Sequence, residues 1–205
     1  MLFRSFELVK PLRPSLRLRP PHLSWRDVTL DAASRTIFLP EGAGIDFGGI
    51  GKGWAVDRLG AMLGSPGLVN GGGDIYAAGS PADAPAWLVG VEDPFASGRD
   101  LDVLAVSDRG VATSSRLKRR WLGDGRWLHH LIDPRTGAPS RSDVAQATVI
   151  APSALLADYH AKVALLLGAG AGLSYLNREP NLEGLVVRSD GVLLRSAGLG
   201  KYIWD

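Results

Sequence analysis

The sequence predicts an α+β fold: one domain with a mixed, mostly antiparallel β-sheet and flanking helices. Three observations carry this. Strand-type runs outnumber amphipathic helical stretches, and two pairs of runs are close enough in sequence to form hairpins. Strands and helices do not alternate as a doubly wound parallel sheet requires. A length of 205 residues suits a single domain, and an apolar fraction of 45% allows an ordinary core.

Residues 1–24 hold Pro11, Pro14, Pro20 and Pro21 among Arg13, Arg17 and Arg19. That density of proline disfavours a helix and reads as an extended N-terminal arm, with the folded domain over 25–205. Val28–Leu30 and Thr36–Leu39, joined by Asp31–Ser34, predict a β-hairpin. Ile45 and Phe47 read as a short strand seed before a glycine run. An amphipathic helix follows over about 52–63, through Trp54, Val56, Leu59, Met62 and Leu63, and Gly64 closes it.

Strands are expected at 67–69, 75–78, 87–91 and 103–106, and Asp108–Ser115 reads as a turn rich in small hydroxyls. The basic segment 116–126 reads as a solvated face. The stretch from His129 to Gly137 reads as a strand end and a turn, with one histidine packed and the other exposed. Ala145–Ala151 has the composition of a buried strand. Ser153 is a fitting N-cap for a helix with Leu155, Leu156, Ala161, Ala164, Leu165 and Leu167, ending at Gly168. A second helix over about 170–177 and a hairpin at 185–194, turned at Asp190-Gly191, complete the chain.

Composition narrows the function. There is no cysteine, which removes disulfides, thiolate metal sites, a cysteine nucleophile and a lipidated cysteine. The formal charge is only +2, with 23 basic against 21 acidic residues, so nucleic acid is not expected as a partner. The start of the chain lacks the continuous apolar segment of a signal peptide. No run reaches transmembrane length, and as written the chain reads as cytoplasmic.

The chemistry is concentrated in glycine turns. Residues 45–57 read I-D-F-G-G-I-G-K-G-W-A-V-D, a tight turn opening a helix, with Lys52 beside it and Asp46 and Asp57 bracketing it. Glycines leave amides uncovered, and a helix N-terminus favours anions such as phosphate. The run is not a Walker A loop, because Gly53 follows Lys52 where Ser or Thr is needed, and it does not fit G-x-G-x-x-G. On spacing alone it is either a phosphate-binding turn or a plain glycine-rich connection. A second glycine turn spans Asn70–Asp74, Thr113-Ser114-Ser115 offers hydroxyl and amide donors, and Asp133 and Asp158 add carboxylates. Together these suit a ligand with a pyrophosphate and a polar ring, with a metal on carboxylate oxygens. Each also has a plainer reading: Asp133 before Pro134 is a common turn initiator, and Asp158 early in a helix is favoured by the macrodipole.

The chain from about Trp25 onward resembles the ApbE family, the FAD:protein FMN transferases. The resemblance is carried by residues 45–57, V-N-G-G-G-D-I (69–75), G-V-A-T-S-S (110–115), H-H-L-I-D-P-R-T-G (129–137) and V-I-A-P-S-A-L-L-A-D (149–158), five blocks in the family's order. It implies an ApbE-like domain that takes FAD as substrate and joins FMN to a Thr or Ser hydroxyl of a target protein, releasing AMP. By that resemblance Lys52, Asp57, Gly72 and Asp74 line or support the FAD pocket, and Thr113 and Ser114 lie beside the flavin. His130 is implicated in the transfer, as a base of a type that titrates near neutrality, while Asp133 and Thr136 shape its loop. The resemblance also implies Mg2+ held by the Gly51 carbonyl, by Asp158 and by a threonine four residues later, and so gives Asp158 a catalytic part.

Two departures shape the expectation. The threonine position is Lys162, whose ammonium cannot ligate Mg2+, so metal affinity is expected to be weakened or lost, with Lys162 either paired to Asp158 or placed near where the metal would sit. The short Pro/Arg arm stands where such proteins carry a longer N-terminal portion, so one side of the pocket is expected to be open. Members of such a family are often periplasmic. The competing reading is a non-catalytic FAD-binding homologue with an impaired metal site.

Overall fold

A computed structural model describes residues 24–123 and 125–204. The arm read over 1–24 therefore lies, but for Ser24, outside the described residues. The chain divides into two compact units, one up to Asp46 and one from Phe47 onward.

In the first unit, Ser24 and Asp27 form a capping box around a 3-10 turn, Trp25–Asp27. The expected hairpin follows: β1 (Thr29–Asp31) pairs antiparallel with β2 (Thr36–Phe38). Asp31 makes the turn, its Oδ1 accepting from the amides of Ala33 at 2.9 Å and Ser34 at 3.2 Å. Every residue of both strands is exposed, so pairing and turn chemistry define this hairpin without a core of its own.

The second unit starts with α1 (Gly51–Leu63), β3 (Gly67–Asn70), β4 (Ile75–Ala78), β5 (Trp87–Glu92), β6 (Asp100–Val106) and β7 (Arg109–Ser115). It continues through β8 (Arg120–Gly123), β9 (Arg126–His129), β10 (Ile132–Asp133), β11 (Ala138–Pro139), β12 (Val144–Ala151), α2 (Ala154–Leu167), α3 (Ala169–Arg178), β13 (Glu183–Arg188) and β14 (Leu193–Arg195). Six of the strands form one sheet in the order β14-β13-β12-β7-β4-β3, and every pairing in it is antiparallel. The fold is α+β, as read from the sequence.

The two faces of the sheet are covered differently. Helices α1, α2 and α3 lie on one face, where Ala112, Ala147, Val149 and Val186 meet Ala157, Ala161, Leu165 and Leu176. The β5–β6 hairpin covers the other face, with Val89, Val91, Leu104 and Val106 packed on Ile75, Val111, Ile150 and Leu185. β12 lies at the centre, and all eight of its residues are buried. Alternate residues of one strand therefore feed two separate cores.

Small residues set how closely the helices approach. A Cβ on Gly110 would lie 2.2 Å from the Ser153 carbonyl carbon, and one on Gly53 would lie 2.7 Å from the Ala154 carbonyl oxygen. Side chains at either position would push α2 off the sheet or α1 off α2. Among the described residues, no helix is long and apolar enough to cross a membrane.

Three expectations are corrected. Residues 45–47 form no strand; the Phe47 carbonyl instead accepts from Ile50 at 3.0 Å and Gly51 at 2.7 Å and starts α1. Asp108–Ser115 is not a turn but mostly the interior strand β7, whose small residues allow the close approach of α2. Apart from Val56, the apolar run of α1 is not its buried face. Gly53, Val56 and Gly60 face inward, while Trp54, Leu59, Met62 and Leu63 remain exposed, because close helix packing selected the small residues. The basic stretch after 116 also folds into a two-stranded ribbon, β8–β9, that charge alone did not announce.

Candidate active site

A cleft of about 210 Å³ opens at the N-terminal side of α1, and five separate stretches of chain supply its walls. Gly48 and Lys52 come from the first glycine run, and Gly72 and Gly73 from the second. Thr113, Ser114 and Ser115 end β7, Lys118 and Arg119 lead into β8, and His130 follows β9. Asp158 and Lys162 come from the second and third turns of α2.

The glycine turn after β3 is built by its own side chains. Asn70 Oδ1 accepts from the Gly73 amide at 2.8 Å, and the Gly71 amide donates to the Asp74 carbonyl at 2.8 Å. Gly72 (φ 70°) and Gly73 (φ 97°) occupy the left-handed region that glycine reaches without a steric penalty. The turn delivers Asp74 into the interior, where it is fully buried. Lys52 Nζ lies 2.7 Å from Asp74 Oδ1 and 3.4 Å from the Gly72 carbonyl. Burial pushes the Asp74 carboxyl above its ordinary range and nearby Asp158 adds to this, while Lys52 and Lys162 oppose it.

Asp158 and Lys162 sit one turn apart on α2 and form an ion pair. The aspartate side chain is 3% exposed and the lysine 22%. The lysine stem runs past Gly49, where an added Cβ would lie 3.8 Å from Lys162 Cδ. Asp74 Oδ2 and Asp158 Oδ2 are buried and accept no hydrogen bond.

The two histidines separate as their sequence context suggested. His129 is buried; its Nε2 donates to the Ser140 carbonyl at 2.9 Å and its Nδ1 accepts from the Leu131 amide at 3.3 Å. Both ring nitrogens are spent on a single neutral tautomer, and burial pulls its pKa down. His130 is exposed in the cleft wall, with Nδ1 3.4 Å from the Arg119 carbonyl. A carbonyl only accepts, so Nδ1 is the donor in this contact, and Nε2 is not committed to it.

Thr113 bridges two strands through its hydroxyl, 2.8 Å from that of Thr148, and lines the cleft. Lys52, Gly72, Thr113, Ser114, His130 and Asp158 thus meet in one place. Other expected site residues lie elsewhere. Asp57 spends both carboxylate oxygens on the start of α2, accepting from Ala154 at 2.7 Å and Leu155 at 3.0 Å. Asp133 holds Arg135 through its side chain, and its carbonyl accepts from Gly137 at 2.8 Å, which makes the turn after β10. Asp133's carboxyl is accordingly held below the usual range by Arg135. Gly51 is the first residue of α1, so its carbonyl enters the helix ladder. Lys118 and Arg119 line the cleft although their run reads as solvated face; their position directly after the Thr-Ser-Ser block was the available signal.

The family model for the ApbE family matches residues 8–186. The chain belongs to the ApbE family. Among relatives named FAD:protein FMN transferase, it is 32% identical over 181 residues to that of Treponema pallidum, covering 82% of this chain and 50% of the relative. It is 28% identical over 192 residues to one of Klebsiella pneumoniae, covering 91% and 58%. The crystal structure of the ApbE protein of Thermotoga maritima superposes with a TM-score of 0.79 at 28% identity, covering 90% of this chain and 61% of that one. That of the Pseudomonas stutzeri flavinyl transferase ApbE gives 0.69 at 26%, covering 86% and 56%. The chain therefore spans about half the length of the curated relatives it matches.

The ApbE resemblance raises the question of Mg2+, and the residues present do not fit it. Among the described residues no group of three or more His, Asp or Glu side chains could hold a metal ion. Mg2+ needs near-octahedral oxygen ligands at about 2.0–2.1 Å. Here Asp158 already holds an ammonium, and Lys162 supplies nitrogen where an oxygen ligand is needed.

Proposed function

We propose that this chain is an FAD:protein FMN transferase domain, moving the FMN part of FAD to a Thr or Ser hydroxyl of a target protein with release of AMP. The observation that carries this reading is the convergence of two glycine turns, Lys52, the Thr113-Ser114 strand end, His130 and Asp158 on one cleft. The names of the ApbE relatives support the choice of FAD and of a protein acceptor.

Each group then has a task. The Gly48 and Gly72-Gly73 turns, with Lys52, Lys118, Arg119 and Lys162, bind and orient the pyrophosphate. The acceptor oxygen attacks the phosphorus on the FMN side, the phosphorus–oxygen bond to AMP breaks, and AMP leaves with the bonding pair. The proton of the acceptor hydroxyl passes to His130 Nε2, the ring nitrogen left free by the contact to the Arg119 carbonyl. Asp158 acts by holding Lys162 in the cleft. No step is assigned to a divalent metal.

The test is incubation with FAD and an acceptor polypeptide carrying Thr or Ser, read by intact mass for an added FMN and by chromatography for AMP. FAD that is neither bound nor consumed would sink the reading. FAD that is bound but never cleaved would instead support the second reading, a non-catalytic FAD-binding homologue. The Asp158–Lys162 pair favours that alternative, and transfer restored by Lys162→Thr would establish it.

A further inference from the structure

We propose that the Lys162 ammonium takes the place of a divalent cation in this cleft, so that the chain binds the pyrophosphate of a dinucleotide without Mg2+. The inference rests on the reading of the cleft as an FAD site and deepens it.

The placement of charge in the cleft favours an anion. Two buried carboxylates lie behind the cleft, and each holds one lysine: Asp74 with Lys52 at 2.7 Å, and Asp158 with Lys162. The carboxylates are 1% and 3% exposed, and the lysines 43% and 22%. The negative charges are thus internal and already balanced, while the ammonium groups form the surface that a ligand meets. A dication added here would face the two ammonium groups already paired with Asp74 and Asp158. An anion would meet an opposite charge instead.

Rigidity of the Lys162 side chain acts in the same direction. Lysine heads on long stems usually contribute little, because fixing them costs side-chain entropy. Lys162 is already fixed: its stem packs along Gly49, with Cδ and Cε 3.8 and 3.9 Å from where a Cβ would stand. Gly49 belongs to the same run as cleft-lining Gly48, so the stem that carries the ammonium runs beside the first glycine turn. One N–H goes to Asp158 Oδ1, and a long 3.4 Å contact reaches the Asp158 carbonyl. An ammonium has three N–H donors, so one remains for a phosphate oxygen.

An ammonium in place of a metal ion also changes the chemistry available in the cleft. An ammonium supplies one positive charge and directional N–H donors. It cannot polarise a phosphoryl oxygen as a Lewis acid. It preserves anchoring of the pyrophosphate and removes dependence on metal supply. Binding should therefore survive chelation, whatever becomes of the transfer rate.

The experiment is a titration of the purified chain with FAD, followed by flavin fluorescence, in EDTA and in millimolar Mg2+. The expected result is the same Kd within about twofold in both buffers. Lys162→Met should weaken binding in EDTA by roughly tenfold or more, without recovery by Mg2+, since a charge-assisted contact is lost. Lys162→Thr should lose as much in EDTA and regain it in Mg2+. Circular dichroism and melting would show that both variants fold. If either does not, the comparison of the two buffers on the unaltered chain still decides. Tenfold tighter FAD binding by that chain in Mg2+, saturable Mg2+ binding by calorimetry, or a Lys162→Met variant that binds as tightly as the parent would overturn the inference alone. No FAD binding in either buffer would overturn it together with the FAD reading.

Discussion

His129 and His130 are neighbours in sequence and opposites in environment. His129 has both ring nitrogens committed to backbone groups inside the fold, and His130 keeps one nitrogen free in the cleft wall. The same division separates two aspartates at α2. Asp57 gives both oxygens to the amides that begin the helix, whereas Asp158, one turn further along, holds a lysine with one oxygen and leaves the other unpartnered. A polar side chain whose every atom is satisfied by backbone belongs to the architecture, and one left half-satisfied at a cleft belongs to the chemistry. Residue type does not distinguish them.

The largest expected effect tests the histidines. Under the transferase reading, His130→Ala should lower the transfer rate by about 10²–10⁴-fold, the usual contribution of a general base. Its melting temperature and FAD affinity should stay near those of the parent. His129→Ala should do the reverse, losing about 2 kcal/mol of stability from two buried hydrogen bonds while FAD affinity is largely kept. Denaturant unfolding and single-turnover AMP release measure the two axes. Equal loss of both properties in both variants would remove the distinction.

The aspartates offer a smaller contrast. Asp57→Ala strips two backbone amides of their acceptor at a helix start, and should cost about 1–2 kcal/mol by denaturant melts with little change in FAD affinity. Asp158→Asn removes the charge that fixes Lys162, and should show chiefly in FAD binding. If Asp57→Ala instead abolishes FAD binding in a chain that is still folded, Asp57 contacts the ligand and the division fails.

The same contrast shows what sequence could reveal. Element positions were legible wherever periodicity or turn chemistry is local: Ser153 and Gly168 bound α2, and Asp190-Gly191 turns the last hairpin. The strand β7 was not, because Gly110, Thr113, Ser114 and Ser115 carry turn chemistry, and only the approach of α2 makes small residues necessary in a sheet interior. Apart from Val56, the buried face of α1 was missed for a related reason, since Gly53 and Gly60 carry no hydrophobic signal. Of the cleft residues, the glycine turns and His130 were legible as blocks. Lys118 and Arg119 were not, because charge does not report which wall a loop lines. Asp57 and Asp133 share a block with cleft residues, yet their own atoms are taken up by helix and turn amides.

The smallest effect is a pH dependence. Burial lowers the pKa of His129 in the fold below its unfolded value, so between the two values the unfolded chain binds more protons. The stabilising contribution is therefore complete above the ordinary histidine range and is lost as pH falls through it. For one proton the slope cannot exceed about 1.4 kcal/mol per pH unit. His160, whose pKa burial also lowers, acts in the same direction. Stability measured from pH 8 down to pH 5 should fall, and His129→Gln should flatten the curve without removing the slope from His160. A slope left unchanged by His129→Gln would mean that burial of His129 does not set the pH dependence.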